Sequence, residues 1–404
     1  MNNIVNIVRS NKVLFKIAEK IIDISRWSKD NTVNRLYWHI YSSKSIKKNK
    51  IVICSYYGKG YCDNGKYIVN EILKRRLEKD IVWIVSNENI DNELPKEVRS
   101  VKYMSKEMIY EMATAKIWID NSRKHHYIKK REEQKYIQTW HGGIALKKIE
   151  GDTENTLRKN YVKAAKRDSK NIDILISNSR FNSEIYKRAF WYKGDIIECG
   201  SPRNDKIITS NIDIVNKVKI ALRIDKRKKI IMYAPTFRNN NSIDKYKFNY
   251  ERCINSFKNR FNDDFVMIIR LHPNILKKSE ELGIYLLKDI YNASFYSDMQ
   301  ELLIASDILI TDYSSSMFDF MLTKRPCLIY ATDKENYKSE RGFYFNIDEL
   351  PFSYSENEDE LINNIREFKE DIYEEKLKIF INKIESYDTG NASNCIVDWI
   401  EKNI

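Results

Sequence analysis

The chain of 404 residues has no run of about 18 apolar residues, so the sequence predicts no transmembrane helix. Arg9 and Lys12 lie near the N-terminus, but the apolar core and the small-residue cleavage site of a secretory signal do not follow them. We therefore expect the protein to stay in the cytosol. Internal repeats and low-complexity segments are also missing. A chain of this length predicts two domains of about 150–200 residues each.

Cysteine and histidine are sparse. The six cysteines form no C-x-x-C pair and the five histidines are scattered, which excludes the usual zinc patterns. The simplest interpretation is a set of free, mostly buried thiols.

Two common phosphate-binding motifs are absent as well. After the first apolar strand, Gly58 and Gly60 begin a G-x-G pattern, but Asp63 stands where the third glycine is required. This disfavours an NAD site, and no Walker A motif occurs elsewhere.

The excess of basic residues is concentrated at the N-terminus. The chain carries 70 Lys and Arg against 57 Asp and Glu, a net charge of +13, and residues 1–50 hold eleven basic against three acidic residues, a net charge of +8. Apolar residues between positions 5 and 24 fall mostly on one helical face, which predicts a basic amphipathic helix on an anionic membrane surface. The alternative is a helix packed on the body of the protein with a solvated basic face. We expect no nucleic-acid partner, because zinc-finger, homeodomain and RRM-type patterns are missing.

Strands and helices alternate along the rest of the chain, which is typical of a doubly wound α/β fold. Predicted helices lie at 66–77, 105–115 and 396–404, and residues 356–378 look like an acidic surface helix. The boundary between two such blocks is expected near residues 200–206, with the last helix crossing back to the first block. The predicted strands are 51–55, 81–85, 117–120, 172–177, 196–199, 230–233, 265–269, 294–295, 308–310 and 327–330.

The segment 138–148 is the most informative part of the chain. It follows a short apolar run, and His141 is followed by Gly142 and Gly143, whose bare backbone allows a ligand to approach closely. Lys147 and Lys148 come next. An imidazole beside free amides and two cations suits an anionic substrate with a proton to remove. The alternative is a turn with a buried histidine.

Three further strand ends carry groups suited to phosphate or to proton transfer. Residues 233–238 end in Arg238, residues 269–273 contain His272, and residues 311–315 read Thr-Asp-Tyr-Ser-Ser before an apolar helical run. Free N–H groups at a helix start bind phosphate, and neighbouring hydroxyls add donors.

These motifs, in order, resemble the CDP-glycerol glycerophosphotransferase family, which includes teichoic-acid primases and polymerases. The resemblance covers roughly residues 50–395. It differs at 142–144, where Gly-Gly-Ile replaces the Gly-Thr-Pro that the family often has. The matching strings are Tyr-Cys-Asp-Asn at 61–64, Gln-Thr-Trp-His-Gly at 138–142, Gly-Ser-Pro-Arg-Asn-Asp at 200–205, Tyr-Ala-Pro-Thr-Phe-Arg at 233–238, Leu-His-Pro at 271–273, Thr-Asp-Tyr-Ser-Ser at 311–315 and Glu-Arg-Gly-Phe-Tyr at 340–344.

The resemblance implies a GT-B-like arrangement of two Rossmann-like, doubly wound domains that face a cleft. Residues 1–48 are then a basic membrane-associating arm, residues 49–205 an acceptor domain and residues 206–404 a nucleotide-donor domain. The implied reaction moves glycerol phosphate or ribitol phosphate from a CDP-activated donor to a hydroxyl of a membrane-linked acceptor, and it releases CMP. Such a protein would be peripheral, on the cytoplasmic face of the cell membrane, and would build a teichoic-acid-like or capsular polymer.

The resemblance also implies roles for particular residues. His141 is the expected general base, and His272 would donate to the pyrophosphate or to the leaving CMP; a structural histidine is the alternative for His272. Asp312 would cap a helix, contact ribose or orient His272. His39, His125 and His126 are expected to be structural. The other donor-side residues are Arg238, Thr311, Ser314, Ser315, Glu340 and Arg341. Those on the acceptor side are Asp63, which is also a candidate for orienting His141, together with Asn64, Gly142 and Lys147.

The sequence indicates no cofactor and no metal. Asp312 and Asp319 lie seven positions apart and lack the D-x-D spacing of metal-dependent transferases, and arginine and lysine can supply the charge that Mg²⁺ brings elsewhere. Two alternatives stay open: a nucleotide-sugar glycosyltransferase of the same fold, and a non-catalytic membrane-docking scaffold.

Overall fold

The computed structural model describes residues 30–209, 212–236, 246, 248–271, 288–333 and 342–404. Within these residues the chain is an α/β protein with two parallel sheets, which confirms the predicted class. We refer to the first sheet and its helices as the N-terminal unit, and to the second sheet and its helices as the C-terminal unit.

The sheet of the N-terminal unit has a continuous apolar centre. Ile51, Ile53 and Ile117 are fully inaccessible to solvent, as expected for parallel strands that are covered on both faces. Among the described residues its strands are β1 (Lys47–Cys54), β2 (Asp80–Val85), β3 (Val98–Lys102), β4 (Ala115–Asp120), β5 (Lys135–Gln138), β6 (Ile174–Ser177) and β7 (Asp195–Glu198). They run in the order β3-β2-β1-β4-β5-β6-β7, and every neighbouring pair is parallel.

The sheet of the C-terminal unit follows the same design. Its described strands are β8 (Lys229–Ala234), β9 (Phe265–Ile269), β10 (Ile290–Asn292), β11 (Ile308–Thr311), β12 (Cys327–Tyr330) and β13 (Ser353–Ser355). The order is β10-β9-β8-β11-β12-β13, again all parallel. Ile230 and Met232 pack into one apolar cluster, whereas Ile231 and Tyr233 pack into another. Both faces of the sheet are therefore buried.

Helices connect the strands and cover the sheets. The described α-helices are Arg35–Ser42, Asp63–Lys74, Lys106–Thr114, Lys159–Ser169, Arg180–Ala189, Asp205–Ile208, Ile212–Leu222, Tyr250–Phe261, Met299–Ala305, Ser316–Phe320, Glu358–Arg366, Glu370–Ile384 and Ala392–Asn403.

The structure corrects two of the predicted secondary-structure elements. The predicted strand at 294–295 is wrong: the strand is β10, and residues 294–295 form a turn that the Ser294 hydroxyl fixes by accepting a hydrogen bond from the Leu271 N–H at 2.9 Å. The acidic stretch 356–378 spans parts of two helices instead of one. Each of these helices buries an apolar face, which includes Leu361 and Ile365 in the first and Leu377 in the second.

The C-terminal helix Ala392–Asn403 packs against the N-terminal unit. Ile396 and Ile400 join the cluster that contains Ile68 of the helix Asp63–Lys74. Arg75 adds hydrogen bonds to the Asp398 and Glu401 carboxylates at 2.6 and 2.8 Å. The chain thus passes from the N-terminal unit to the C-terminal unit and then returns.

The chain crosses between the units twice, and we call the two connecting segments the outgoing and the returning passage. The two passages are hydrogen-bonded to each other. The carboxylate of Asp388, on the returning passage, accepts a hydrogen bond from the Ser201 N–H at 2.7 Å. The carboxylate of Asp205, on the outgoing passage, accepts from the N–H groups of Ala392 and Ser393 at 2.9 and 2.7 Å.

Two further expectations concern the membrane and the thiols. Within the described ranges, no helix is both long enough and apolar enough to span a membrane. The predicted basic helix at the N-terminus lies in residues 1–29, outside the described residues. All six cysteines are free, and four of them are buried.

Candidate functional site

A cavity of about 1020 Å³ opens between the two units. Its N-terminal wall includes Tyr56, which follows β1, and the segment 140–150, which follows β5. Its C-terminal wall includes Thr236 after β8 and the segment 313–315 after β11. Both walls therefore come from the carboxyl ends of parallel strands, where open α/β sheets bind their ligands.

His141 lies in this cavity with a defined tautomer. Its Nδ1 is 2.8 Å from the backbone carbonyl oxygen of Asn121. Because a carbonyl only accepts, Nδ1 carries the proton, and Nε2 of the neutral ring is left with its lone pair. The side chain is exposed to the cavity, so this lone pair is available to a bound ligand.

The surroundings of His141 favour the neutral imidazole. Its ring centroid is 4.3 Å from that of Trp140 and 5.6 Å from that of Tyr56. Water reaches one side of the ring through the cavity, but the ring lies deep in the cleft and is surrounded by protein. The resulting loss of solvation disfavours the charged imidazolium and lowers the pKa of His141. The neighbouring Asp63 carboxylate acts in the opposite direction but is the weaker influence.

Asp63 and Asn64 form hydrogen bonds that hold the residues around His141 in place. The Asp63 carboxylate accepts hydrogen bonds from the Tyr56 hydroxyl at 2.5 Å and from Arg203 at 3.0 Å. The Asn64 side chain donates to the Trp140 carbonyl at 3.1 Å and accepts from the Arg203 N–H at the same distance. The described hydrogen bond that orients the His141 ring therefore comes from Asn121, and Asp63 holds Tyr56 and Arg203.

Arg203 joins the two walls of the cleft. Its Nη1 donates to the His141 carbonyl oxygen at 2.7 Å as well as to Asp63, and its Nη2 lies 2.9 Å from the Asp319 carboxylate of the C-terminal unit. Burial by itself lowers the pKa of Arg203, but the Asp319 and Asp63 carboxylates reverse this and raise it. The guanidinium is therefore charged at every working pH.

The glycines after His141 allow this close packing. A Cβ on Gly143 would lie 2.7 Å from Oδ1 of Asp319, a separation that real Cβ contacts do not reach. A side chain at Gly143 would therefore push Asp319 away from Arg203. Gly142 also lines the cavity.

Lys147 lies where the two units meet. It pairs in an antiparallel bridge with Phe343. On either side of this bridge, the Tyr344 N–H donates to the Leu146 carbonyl at 2.8 Å, and the Lys148 N–H donates to the Gly342 carbonyl at 3.1 Å. This short pairing fixes the far end of the segment that begins at His141.

Two of the described donor-side residues form hydrogen bonds with residues at the end of β8. The Thr311 hydroxyl donates to the Ala234 carbonyl at 2.6 Å and is fully buried. The Asp312 carboxylate accepts from the N–H and the hydroxyl of Thr236, both at 2.9 Å. Thr311 and Asp312 thus shape the end of β8 and β11.

Ser314 and Ser315 do line the cavity. The Ser314 and Ser316 hydroxyls are 2.8 Å apart, and the Ser316 N–H points at the Ser314 oxygen. The hydroxyl groups of Ser314, Ser315 and Thr236 therefore lie on the wall opposite His141.

Other predicted residues are elsewhere. Arg238, His272, Glu340 and Arg341 lie outside the described residues. His125 is engaged with the Tyr103 hydroxyl at 2.7 Å. Among the residues that the structure describes, no group of three or more His, Cys, Asp or Glu side chains is arranged to hold a metal.

Sequence reasoning missed the residues that organise the site. Asn121 acts through its backbone carbonyl, which no sequence pattern reveals. Arg203 contacts Asp63 from 140 positions away, whereas Tyr56 contacts it across a loop from seven positions away. For Arg203 the available signal was its place in the motif at 200–205.

A comparison with protein families matches residues 36–402 to one family model. The description of that model is CDP-Glycerol:Poly(glycerophosphate) glycerophosphotransferase. The match spans both units and the cavity between them.

Two curated proteins are similar over most of the chain. A teichoic acid glycerol-phosphate transferase of Staphylococcus aureus is 35% identical over 397 residues, 92% of this chain and 99% of that protein. A teichoic acid poly(glycerol phosphate) polymerase of Staphylococcus epidermidis is 34% identical over 375 residues, 89% of this chain. The chain spans about half of the latter protein, 51% of its length.

Among solved structures, a variant of the wall teichoic acid polymerase TagF soaked with CDPG superimposes with a TM-score of 0.81 at 31% sequence identity. The superposition covers 96% of this chain and 97% of that one. The arrangement of the two sheets is therefore shared with that structure.

Proposed function

The chain belongs to the CDP-glycerol:poly(glycerophosphate) glycerophosphotransferase family, and from this premise we propose that it transfers glycerol phosphate from CDP-glycerol to a hydroxyl of a teichoic-acid acceptor. The observation that carries the proposal is the geometry of His141: its Nδ1–H is fixed by Asn121, and the ring is exposed to a cavity whose other wall presents Ser314 and Ser315.

In this reaction the acceptor oxygen attacks the phosphorus that bears the glycerol. Nε2 of His141 takes the hydroxyl proton as the new O–P bond forms. The bond from that phosphorus to the bridging oxygen breaks, and CMP leaves with the bond's electron pair. Positioning and charge stabilisation supply most of the catalysis in such phosphoryl transfers.

The donor belongs on the C-terminal wall. Ser314 and Ser315 are proposed to donate hydrogen bonds to the pyrophosphate. His272, Arg238 and Arg341 are proposed to supply positive charge to the same group, with Glu340 beside the nucleotide. The acceptor is placed on the N-terminal wall, next to Lys147.

We also propose the finer architecture that goes with this chemistry. The two units are Rossmann-like domains in a GT-B-like arrangement, with the boundary near residue 205. Two parallel sheets with the cavity between their carboxyl ends support this assignment.

The donor wall gives the first test. Changing both Ser314 and Ser315 to alanine is expected to weaken CDP-glycerol binding by about 1–3 kcal/mol, because two charge-assisted hydrogen bonds are lost. Titration calorimetry measures this directly. Thr323→Ala is a matched control, since its hydroxyl donates to the Phe320 carbonyl, accepts from the Arg325 N–H and does not line the cavity, and it should leave donor affinity unchanged.

The same titrations separate glycerol phosphate transfer from its rivals. CDP-ribitol, CMP and a UDP-sugar are titrated beside CDP-glycerol. A UDP-sugar that binds more tightly than any CDP-polyol would replace the proposal with a glycosyltransferase, and tighter binding of CDP-ribitol would change the polyol.

The lowered pKa of His141 predicts the pH profile. A base acts in its neutral form, so kcat/KM should fall as the pH drops through the His141 pKa. Because that pKa is lowered, the fall should centre below the ordinary histidine value of about 6.5. Rates of CMP release measured across the acid range test this, and a midpoint well above that value would contradict the assignment.

A membrane-linked acceptor leads to the proposal that residues 1–29 dock the enzyme on the cytoplasmic face of an anionic membrane. Deleting residues 1–28 is expected to weaken sedimentation with anionic vesicles and to abolish its salt sensitivity, because each basic residue near such a surface contributes about 1 kcal/mol. Unchanged co-sedimentation of the shortened protein at low and high salt would contradict a docking role.

A further inference from the structure

A set of ion pairs joins the two units at a place that is not part of the cavity wall. The Lys66 ammonium, in the helix Asp63–Lys74 of the N-terminal unit, donates to the Asp298 carboxylate at 2.5 Å and to the Glu301 carboxylate at 2.7 Å. Both carboxylates belong to the C-terminal unit, at the start of the helix Met299–Ala305. None of the three side chains lines the cavity. We refer to these three residues as the Lys66 cluster.

The Lys66 cluster is buried. The side chains of Lys66, Asp298 and Glu301 are 12%, 1% and 6% exposed. The Tyr67 hydroxyl also donates to Asp298 at 3.2 Å, and the Tyr296 hydroxyl donates to Glu301 at 2.5 Å. Removing the cation from buried carboxylates of this kind is strongly destabilising. The cluster therefore favours the arrangement in which the two units are in contact.

The ion pairs keep their charges over the working range of pH. Burial by itself lowers the pKa of Lys66, but the Asp298 and Glu301 carboxylates outweigh it and raise that pKa. Burial raises the pKa of Glu301, but Lys66 and Lys217 outweigh it and lower that pKa to about 2. The attraction between the units at this place therefore does not depend on the pH at which the enzyme is assayed.

The helix that carries Lys66 also holds the residues around His141. Its first two residues, Asp63 and Asn64, form hydrogen bonds with Arg203 and with the Trp140 carbonyl. Lys66 follows Asp63 by three positions, which is less than one turn of an α-helix. A movement of Lys66 relative to the C-terminal unit therefore also moves the wall of the cleft that carries His141.

Within the C-terminal unit, the partners of Lys66 are connected to the partner of Arg203. The Asp298 carboxylate accepts a hydrogen bond from the Gln300 N–H at 2.9 Å, and the Gln300 side chain donates to the Asp319 carboxylate at 2.9 Å. Asp319 in turn binds Arg203. Lys66 and Arg203 therefore hold the same parts of the two units together at two separate points.

We propose that Lys66 is a positioning residue that sets the separation between the wall that carries His141 and the wall that carries Ser314. This inference rests on the proposed function, in which an acceptor oxygen beside His141 has to reach a phosphorus held on the opposite wall. Reacting atoms have to lie about 3–3.5 Å apart, and a misplacement of about 1 Å can cost a factor of 10² in rate. Lys66 thus affects the rate of transfer without contacting either substrate.

The kinetic test replaces the cation. Lys66→Met is expected to lower kcat by about 10–10²-fold and to leave CDP-glycerol affinity unchanged in calorimetry, because the donor wall is intact. Lys66→Arg should restore most of kcat, since a guanidinium can bind both carboxylates. Lys217→Met is the matched control: Lys217 binds the same Glu301 carboxylate at 2.8 Å, but from within the C-terminal unit, and this variant should keep the wild-type kcat.

Hydrogen exchange separates positioning from a general loss of stability. The Tyr344 N–H donates to the Leu146 carbonyl of the other unit, and in Lys66→Met it should exchange at least about tenfold faster, as expected when charge-assisted hydrogen bonds between the units are lost. The Ile53 N–H, fully buried in β1, should exchange at the wild-type rate. If Lys66→Met does not fold, Lys66→Gln, which keeps a hydrogen-bond donor, undergoes the same measurements.

The outcomes decide between the two roles. Wild-type kcat together with wild-type exchange at Tyr344, equal losses of kcat in Lys66→Met and Lys217→Met, or equally accelerated exchange at Tyr344 and Ile53 would each overturn the positioning role. Accelerated exchange at Tyr344 alone, in an enzyme whose wild type releases no CMP from CDP-glycerol, would support the role of Lys66 in holding the walls and reject the proposed transfer.

Discussion

Replacing His141 by alanine is expected to lower the rate of CMP release by about 10²–10⁴, the usual effect of removing a general base. The reason is geometric: the ring is oriented by the Asn121 carbonyl and exposed to the cavity, with Nε2 as its unprotonated nitrogen. The loss should appear in kcat, because the alanine variant still has the complete donor wall. CMP release and CDP-glycerol titration on the same preparation measure the two effects.

His125→Ala serves as the control for His141. His125 contacts the Tyr103 hydroxyl and does not line the cavity, so its removal should leave turnover close to the wild-type rate. If His141→Ala also keeps the wild-type rate, the proton acceptor is another group. If instead His141→Ala weakens donor binding as strongly as it slows turnover, His141 belongs to the donor site.

Arg203→Met is expected to destabilise the fold by about 3–5 kcal/mol, because it leaves the buried carboxylates of Asp63 and Asp319 without their common cation. The same change removes the hydrogen bond to the His141 carbonyl. We therefore expect a melting temperature lowered by roughly 10 °C and a reduced kcat at temperatures where the variant is still folded.

Two comparisons make the Arg203 result specific. Arg227→Met removes an ion pair with Asp225 at the exposed surface and should not change the melting temperature. Gly143→Ala should slow turnover while keeping Arg203 intact, since its Cβ would displace Asp319. An Arg203→Met protein with wild-type melting and turnover would show that the network has no structural role.

Much of the fold was predictable because parallel strands that are buried on both faces consist of continuous runs of apolar residues. The strand Cys327–Tyr330 and the strand Phe265–Ile269 were predicted to the residue. By contrast, Val98–Lys102 buries only Val98 and Val101, and three-residue strands such as Ser353–Ser355 have too short a pattern to detect. Edge and short strands are fixed by their neighbours in the sheet more than by their own composition.

The candidate site was predictable to a smaller extent. His141, Ser314 and Ser315 follow strand ends, and parallel strands bring such ends together. The partners that orient them are backbone atoms or distant side chains: the Asn121 carbonyl for His141, and Asp319 for Arg203 across 116 positions. Such contacts depend on the packing of the two units against each other, which local sequence does not encode.

The paired passages between the units help to fix the relative position of the two walls of the cleft. Because Ser201 is bonded to Asp388, and Asp205 to Ala392 and Ser393, the outgoing and returning chains lie side by side. These hydrogen bonds lie outside the cavity, so they oppose sliding of the two passages whether or not a ligand is bound. The wall that carries His141 and the wall that carries Ser314 are therefore held in one register by the protein itself, and a bound substrate does not have to supply the free energy that aligns them.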